Sequence, residues 1–541
     1  MRILVADKLA LEGLEILKQS GIDYDEKIGL KPEEIGAIIG EYDACIVRSG
    51  AKVTAKSLEN PGKLKAIARA GVGVDNIDLP SATARGILVL NTAAASTLST
   101  AEHALALMMS LARKIPQAHA HLRSGDLEWK KRNAYQGTQL AGKTLGIVGL
   151  GRIGQTVASR ALAMEMTVLG YDPFFSAPTA MEGRVKVVRD FDEFLRQLDV
   201  ITFHVPGGEA TRHLLSKDRL FNVCKPNLLV INDARGEVVD EYALAEALKA
   251  KRIGGAALDV YAQEPPPKDH PLFGLDNAVL TPHLGASTDE AQTAVSVEAC
   301  KAIIAYLQSG EIRGAVNAGG VKLDLPPDEA PFAELARRMG VILGALSDQG
   351  FKTITLRAHG PRTQKLANTL LRLGTVELLR PHLDTPVNVI NVEHHAKSRG
   401  IEMVQIAEPT PPSGLVGDVV ELRVDAADGE AHRIVGTVYA DALPRVVRVD
   451  DFNMDMVPEG HTVILTNRDQ PGVIGVVGTS FGDANVNIAD MVISRAFQPD
   501  GTAVALMVIK TDAAPSDALM NRLRARPNIL RVKHVELPPR A

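Results

Sequence analysis

The hydrophobic pattern changes period several times along the chain. Residues 2–6, 44–48, 65–70 and 87–91 are short, largely apolar runs, with amphipathic stretches such as 10–19 between them. That alternation predicts βαβ units around a parallel sheet. Residues 100–113 (TAEHALALMMSLAR) predict a helix, with Thr100 and Glu102 near its start and basic Arg113 and Lys114 at its close. A second series opens at Lys143. Its segments TLGIVGLG, TVLGYD, VITFHVP, LLVIND, GAALDV and AVLTPH are apolar almost throughout, the pattern of strands covered on both faces. Residues 289–308 return to helical spacing, and Gly310 closes them.

Near residues 321–331 the composition turns to proline and acid (VKLDLPPDEAP), which marks a boundary. From there to about 455 the periodicity is weaker, although VVELRVDAADGEAHRIVGTVYA alternates and its Asp428-Gly429 pair predicts a hairpin. The end of the chain is clearer. Strand 461–467, helix 471–482, strands 487–495 and 503–510, helix 516–524 and strand 530–537 make a βαββαβ, ferredoxin-like order.

At roughly 150 residues per domain, a chain of 541 residues holds three or four domains. A net charge of −5 disfavours a nucleic-acid partner. The three cysteines, Cys45, Cys224 and Cys300, lie too far apart for a zinc or disulfide motif and fit a reducing cytoplasm. The first residues, MRILVADK, read as a strand, and no stretch of about 18 unbroken apolar residues occurs, so a secreted or membrane-spanning protein is not expected. No metal site is expected either: His394-His395 and His119-x-His121 face apart on a helix.

Candidate chemistry begins at Gly149-x-Gly151-x-x-Gly154, which follows an apolar strand and opens a helical run. The first glycine permits a tight turn, the second lets the backbone approach a pyrophosphate, and the third allows close helix–strand packing. The next strand ends at Asp172, placed to accept from adenosine ribose hydroxyls, and Pro173, Phe174 and Phe175 bring no cation for a 2′-phosphate. NAD is therefore expected rather than NADP. About 140 residues precede this loop, so another α/β unit comes before the Rossmann-like one.

Three polar clusters end the later strands: Asp233-Ala234-Arg235-Gly236, Asp259 through Glu264-Pro265, and Thr281-Pro282-His283. Ligands of open parallel sheets bind at strand carboxyl ends, so an arginine, a glutamate and a histidine are expected beside the nicotinamide. A histidine can take the proton of a 2-hydroxy acid, a carboxylate can steady the imidazolium, and an arginine fork can clamp the substrate carboxylate. With ARAGVGVDNIDL, AEHALALMMSLAR, GKTLGIVGLGRIG, LLVINDARG, ALDVYAQEP and TPHLGAST, the chain resembles the D-2-hydroxyacid dehydrogenases, and among them the long branch acting on 3-phosphoglycerate.

The resemblance implies Arg235, Glu264 and His283 as catalytic residues. It implies a cofactor site of Gly149, Gly151, Arg152, Ile153, Gly154, Asp172, Val205, Asp233, Asp259 and Gly285. It also implies phosphate-side cations Arg48, Arg69 and Lys131, the last in a basic run, Trp129-Lys130-Lys131-Arg132, that in relatives reaches a neighbouring subunit's site; Lys131 and Arg132 compete for that role. Four positions depart from the family's pattern: NTAAAST, with Ala93 and Ser96, replaces Asn-x-Pro-x-x-Asn; Glu237 replaces a glycine; and Asp233 adds an acid.

The segment Asn467 to Gly475 resembles the Asp-x-Pro-Gly turn of ACT domains, which implies Asp469 and Asn487 as effector ligands and L-serine, the end product of the pathway, as the effector. The expected architecture is α/β. Two Rossmann-like parallel-sheet domains are followed by an α+β intervening domain and a ferredoxin-like ACT domain. A substrate domain is split between 1–96 and 282–313, an NAD domain spans 97–281, the intervening domain 314–455 and the ACT domain 456–541. The expected substrate and product are 3-phosphoglycerate and 3-phosphohydroxypyruvate, and the expected assembly is a homodimer or homotetramer.

Overall fold

The computed structural model describes residues 1–125, 129–347, 350–383, 385–426, 429–439, 442–498 and 500–538, with the side chains of Lys130 and Lys131 outside that set. Four sheets organise it. The first is parallel and runs, in space, Asp23–Glu26, Arg2–Val5, Ala44–Val47, Ala66–Arg69 and Leu88–Asn91. The polar strand Asp23–Glu26 was not expected; it is an edge strand with no buried residue, so it carries no apolar signal.

The second sheet runs Ala278–Leu280, Gly255–Leu258, Leu229–Asn232, Val200–Phe203, Thr144–Val148, Thr167–Tyr171, Val185–Val187 and Thr179–Ala180. All its pairings are parallel except the last. The order reverses between Thr144–Val148 and Val200–Phe203. A crevice opens at such a switch point, beyond the strand carboxyl ends. The helix expected over 100–113 runs Thr97–Ala112, one turn earlier, with Ser96 at its N-cap position and no side-chain cap hydrogen bond there. Its buried Ala101, Ala104, Leu107 and Met108 join Leu145, Ile147 and Val157 in the core of the second sheet, so this helix carries the chain from one sheet to the next.

The return path is the helix Asp289–Ser309, capped by Thr288 and ended by Gly310 at φ +77°. Ser296 on that helix accepts from Ala10 N at 3.1 Å, and Gly13 leaves room for it. A third sheet orders Glu402–Glu408, Phe351–His359, Val419–Ala426, Ala431–Val438, Pro444–Val449 and Phe452–Met456, covered by helices Ala330–Leu346 and Pro361–Leu379. The expected hairpin joins Val419–Ala426 to Ala431–Val438; Asp428 of its turn lies outside the described residues.

The fourth sheet, Ile488–Phe497, Ala503–Thr511, Gly460–Arg468 and Ile529–Leu537, has the ferredoxin-like order, and Ile464, Leu506 and Val535 continue the core of the third. Cys45, Cys224 and Cys300 are buried and free, and burial pushes each thiol up to about 12. Among the described residues, no helix is long and apolar enough to cross a membrane.

Candidate active site

The glycine loop sits at the switch point of the second sheet. Gly149 has φ +93°, and a Cβ there would lie 2.4 Å from His204 O and 2.9 Å from Val205 Cγ1. Gly151 faces open space, and the helix Arg152–Ala163 starts after it with no side-chain cap, so its first turn is open to an anion. A Cβ on Gly154 would stand 2.0 Å from Gly149 O. Asp172 ties the loop to the next strand: Oδ2 accepts from Leu150 N at 3.0 Å and Oδ1 from Phe174 N at 2.9 Å. Arg152 is exposed and Ile153 half-buried at the helix start. This cradle, open at Gly151 and with helix amides at its end, fits the pyrophosphate of a dinucleotide.

Beyond the same edge, Arg235, Glu264 and His283 follow three adjacent parallel strands. His283 Nδ1 lies 2.8 Å from Glu264 Oε2, and Glu264 Oε1 accepts from Tyr261 N at 3.1 Å. The Glu264 hydrogen bond holds His283 above its ordinary value against the effect of burial. Burial pushes Glu264 up, but the His283 bond and charge outweigh it and leave the acid lowered. His283 has φ +56°, a region non-glycine residues rarely adopt, and its N–H is bound to Asp259 O at 2.8 Å.

Arg235 reaches across to the loop that follows the strand Ala66–Arg69 of the first sheet. Its Nη2 lies 3.2 Å from Asp75 Oδ2, and a Cβ on Gly73 would stand 2.0 Å from that nitrogen. Arg69 ends its strand on the same side, folded over Gly71, where φ is +148°. Its Nε is buried with no partner among the described residues. Burial, then the Arg235 charge, and more weakly that of Arg48, lower Arg69. Arg48 follows the neighbouring strand and donates to Lys8 O at 3.0 Å. Three cations thus converge on one cleft, an arrangement that calls for an anionic ligand.

Three features here were missed in the sequence. His103 faces inward from the helix Thr97–Ala112, its Nε2 3.3 Å from Asp259 Oδ1. Asp75 meets Arg235 from another sheet. Glu241, 6% exposed, accepts from Ala262 N at 2.8 Å and meets His270 Nε2 at 3.1 Å, bracing the turn that carries Glu264. The only sequence signal for any of them was a polar residue in an apolar face, as in AEHALALMM.

Residues 105–285 match the NAD binding domain of the D-isomer specific 2-hydroxyacid dehydrogenases, 329–450 the D-3-phosphoglycerate dehydrogenase intervening domain, and 461–528 the ACT domain. The D-3-phosphoglycerate dehydrogenase of Archaeoglobus fulgidus is 38% identical over 537 residues, covering 99% of this chain and 100% of that protein. That of Bacillus subtilis is 35% identical over 541 residues, covering 99% and 100%. The chain belongs to the D-3-phosphoglycerate dehydrogenase family.

The shared dehydrogenase core extends beyond the D-3-phosphoglycerate dehydrogenase family. A Thermus thermophilus protein of known structure is 35% identical with a TM-score of 0.54, covering 58% of this chain and all of that one. The D-lactate dehydrogenase of Aquifex aeolicus, solved with NAD and lactic acid, is 26% identical with a TM-score of 0.51, over 57% and 96%.

The remaining expected residues lie elsewhere or outside what is described. The side chain of Lys131 lies outside the described residues, Arg132 is exposed, and Trp129 is 68% exposed. In the ACT domain, Asp469 is ion-paired with Arg495, and Asn487 donates to Asp512 Oδ2 at 2.7 Å. Gly472 at φ +90° starts the helix Val473–Asp483 without a side-chain cap.

Proposed function

We propose that this protein oxidises 3-phospho-D-glycerate with NAD to 3-phosphohydroxypyruvate, the entry step of serine synthesis. NAD, when bound, accepts the C2 hydride at nicotinamide C4. His283 takes the C2 hydroxyl proton as that hydride leaves, and Glu264 steadies the imidazolium that forms. Arg235 clamps the substrate carboxylate, exchanging its contact with Asp75 for the ligand. The observation that carries the reading is the 2.8 Å His283–Glu264 pair placed beside Arg235 and the dinucleotide cradle.

The choice of a phosphorylated acid rests on Arg69, whose buried Nε has no partner among the described residues, with Arg48 nearby and Lys131 or Arg132 as further cations supplied by a neighbouring subunit. The test follows NADH absorbance with 3-phosphoglycerate, glycerate and 2-hydroxyglutarate in parallel. Turnover on the phosphorylated acid is expected, and turnover on another acid alone would overturn the substrate reading. Arg69→Met is expected to raise KM for 3-phosphoglycerate by about tenfold or more, the value of a charge-assisted hydrogen bond, and to leave glycerate kinetics nearly unchanged.

The ACT match and the uncapped turn at Gly472 support a small amino acid, L-serine, as effector, with Asp469 and Asn487 released from their present partners to hold it. A homodimer or homotetramer would pair these domains. Inhibition of the wild type by serine, lost in Asn487→Ala at equal catalytic rate, is the expected result. A wild type indifferent to serine would refute it.

A further inference from the structure

Glu237 is one of the positions at which the chain departs from the family's pattern, and its carboxylate is engaged inside the fold. It follows directly on the turn 232–236 that presents Arg235. Within that turn Asn232 Nδ2 donates to Arg235 O at 2.9 Å, which fixes the backbone of the arginine. Its guanidinium is held less firmly. Nη1 donates to Ala234 O at 2.7 Å, and Nη2 lies 3.2 Å from Asp75, whose side chain is 74% exposed. What steadies the stem between backbone and head is the loop that leaves the strand Val200–Phe203.

That loop begins at Val205, beside the Gly149 turn, and closes on itself: Thr211 Oγ1 donates to Pro206 O at 2.7 Å and Thr211 N to Gly208 O at 3.0 Å. Glu237 Oε1 accepts from Gly208 N at 2.6 Å, a short, charge-assisted bond. Among the described residues, no other side chain outside the loop bonds to residues 206–211. Two glycines make the contact possible. A Cβ on Gly207 would stand 2.4 Å from Glu237 Oε1 and 3.4 Å from Arg235 Cγ, so Gly207 lies between the carboxylate and the arginine stem. Gly208 has φ +129°, a conformation that L side chains rarely adopt. The same two glycines give the loop wide backbone freedom unless something ties it down. Farther along, the two segments meet through backbone alone: His213 N donates to Glu237 O at 2.8 Å and Leu215 N to Val238 O at 3.2 Å. The Glu237 carboxylate extends that pairing to the mouth of the cleft.

We propose that Glu237 is a positioning residue: by binding Gly208 N it holds the loop 205–211 against the stem of Arg235 and confines that side chain to the rotamers that reach the cleft. Glu237 acts through Arg235 and touches no substrate itself. An arginine has many rotamers to lose, and those excluded before binding are a cost the ligand does not meet. The inference rests on the reading that Arg235 receives the substrate carboxylate.

The test is steady-state kinetics of the full chain with 3-phosphoglycerate and saturating NAD. Glu237→Ala is expected to raise KM for 3-phosphoglycerate about tenfold, the value of a charge-assisted hydrogen bond, with a smaller fall in kcat and with NAD affinity by calorimetry within about twofold of the wild type. Glu237→Gln keeps an oxygen for Gly208 N and is expected to recover KM to within about threefold of the wild type. Gly208→Ala strains the loop from the other side and is expected to raise KM as Glu237→Ala does. Arg235→Lys raises KM by itself. Adding Glu237→Ala to it is expected to change KM by less than about twofold, because both replacements act through one side chain. A wild-type KM in Glu237→Ala and Gly208→Ala, or independent effects in the double variant, would overturn the proposal and leave the Arg235 reading standing. A wild-type KM in Arg235→Lys would instead overturn that reading, and the proposal with it.

Discussion

Replacing Glu264 by glutamine keeps the shape and one hydrogen bond of the His283 partner but removes its charge. Glu264 Oε2 stands 2.8 Å from His283 Nδ1, and the two side chains are 39% and 53% exposed. Unit charges at that distance in a water-like medium attract by about 1.5 kcal/mol. A pair this open to solvent stays near that low end, far from the value of a dry pair. The imidazolium forms as the hydride leaves, so the loss falls on the transition state, and Glu264→Gln is expected to lower kcat by about tenfold with little change in KM. The pH profile adds a sign. Oxidation needs neutral His283, and Glu264 raises its pKa, so activity rises with pH through that raised value. In the variant the rise moves to lower pH, with a lower plateau. Stopped-flow NADH formation across the pH range, with 3-phosphoglycerate saturating, measures both effects. An unmoved rise, or a full plateau, would refute the assignment of base and partner.

Other outcomes follow from the same geometry. Gly154→Ala places a methyl 2.0 Å from Gly149 O and is expected to abolish NAD binding and cost roughly 1–3 kcal/mol or more in urea unfolding; unchanged NAD affinity would contradict the cradle. Glu241→Ala strands Ala262 N and the buried His270, at about 1–3 kcal/mol for each group left unsatisfied. It is expected to lower kcat more than it changes KM, because the turn bearing Glu264 loses its brace; steady-state kinetics beside a melting curve separate the two losses. Asp233 costs stability as pH rises: below the ordinary carboxylate range both states are protonated, and above it the unfolded chain has lost a proton that the folded one keeps. Asp233→Asn should therefore melt higher than wild type at neutral pH, with the gap closing toward acid, and calorimetry showing no gap would count against burial raising Asp233.

Much of the architecture was legible because it is written in local terms. Apolar runs marked most parallel strands of the first two sheets, Gly310 marked the end of the helix Asp289–Ser309, and glycines at fixed spacing marked the cradle, since each depends on residues a few positions apart. The polar edge strand Asp23–Glu26 escaped because nothing in it is buried, and the helix start at Thr97 was misplaced because no side-chain cap hydrogen bond marks it. The identities of Arg235, Glu264 and His283 were readable at strand ends, but not that Glu264 meets His283 through Nδ1 or that Arg235 crosses to Asp75.

The sequence by itself therefore determined the order of the elements, the dinucleotide loop and the residue types available for hydride chemistry. Tertiary structure alone decided the encounters: His103 with Asp259 over 156 positions of chain, Asp233 beside Asp259, and the Arg69 Nε left without a partner among the described residues. The reason is physical. Periodicity and turn chemistry act over a few residues. Burial, neighbouring charges and unpaired hydrogen-bonding groups depend on which strand ends and helix faces the folded sheet brings together.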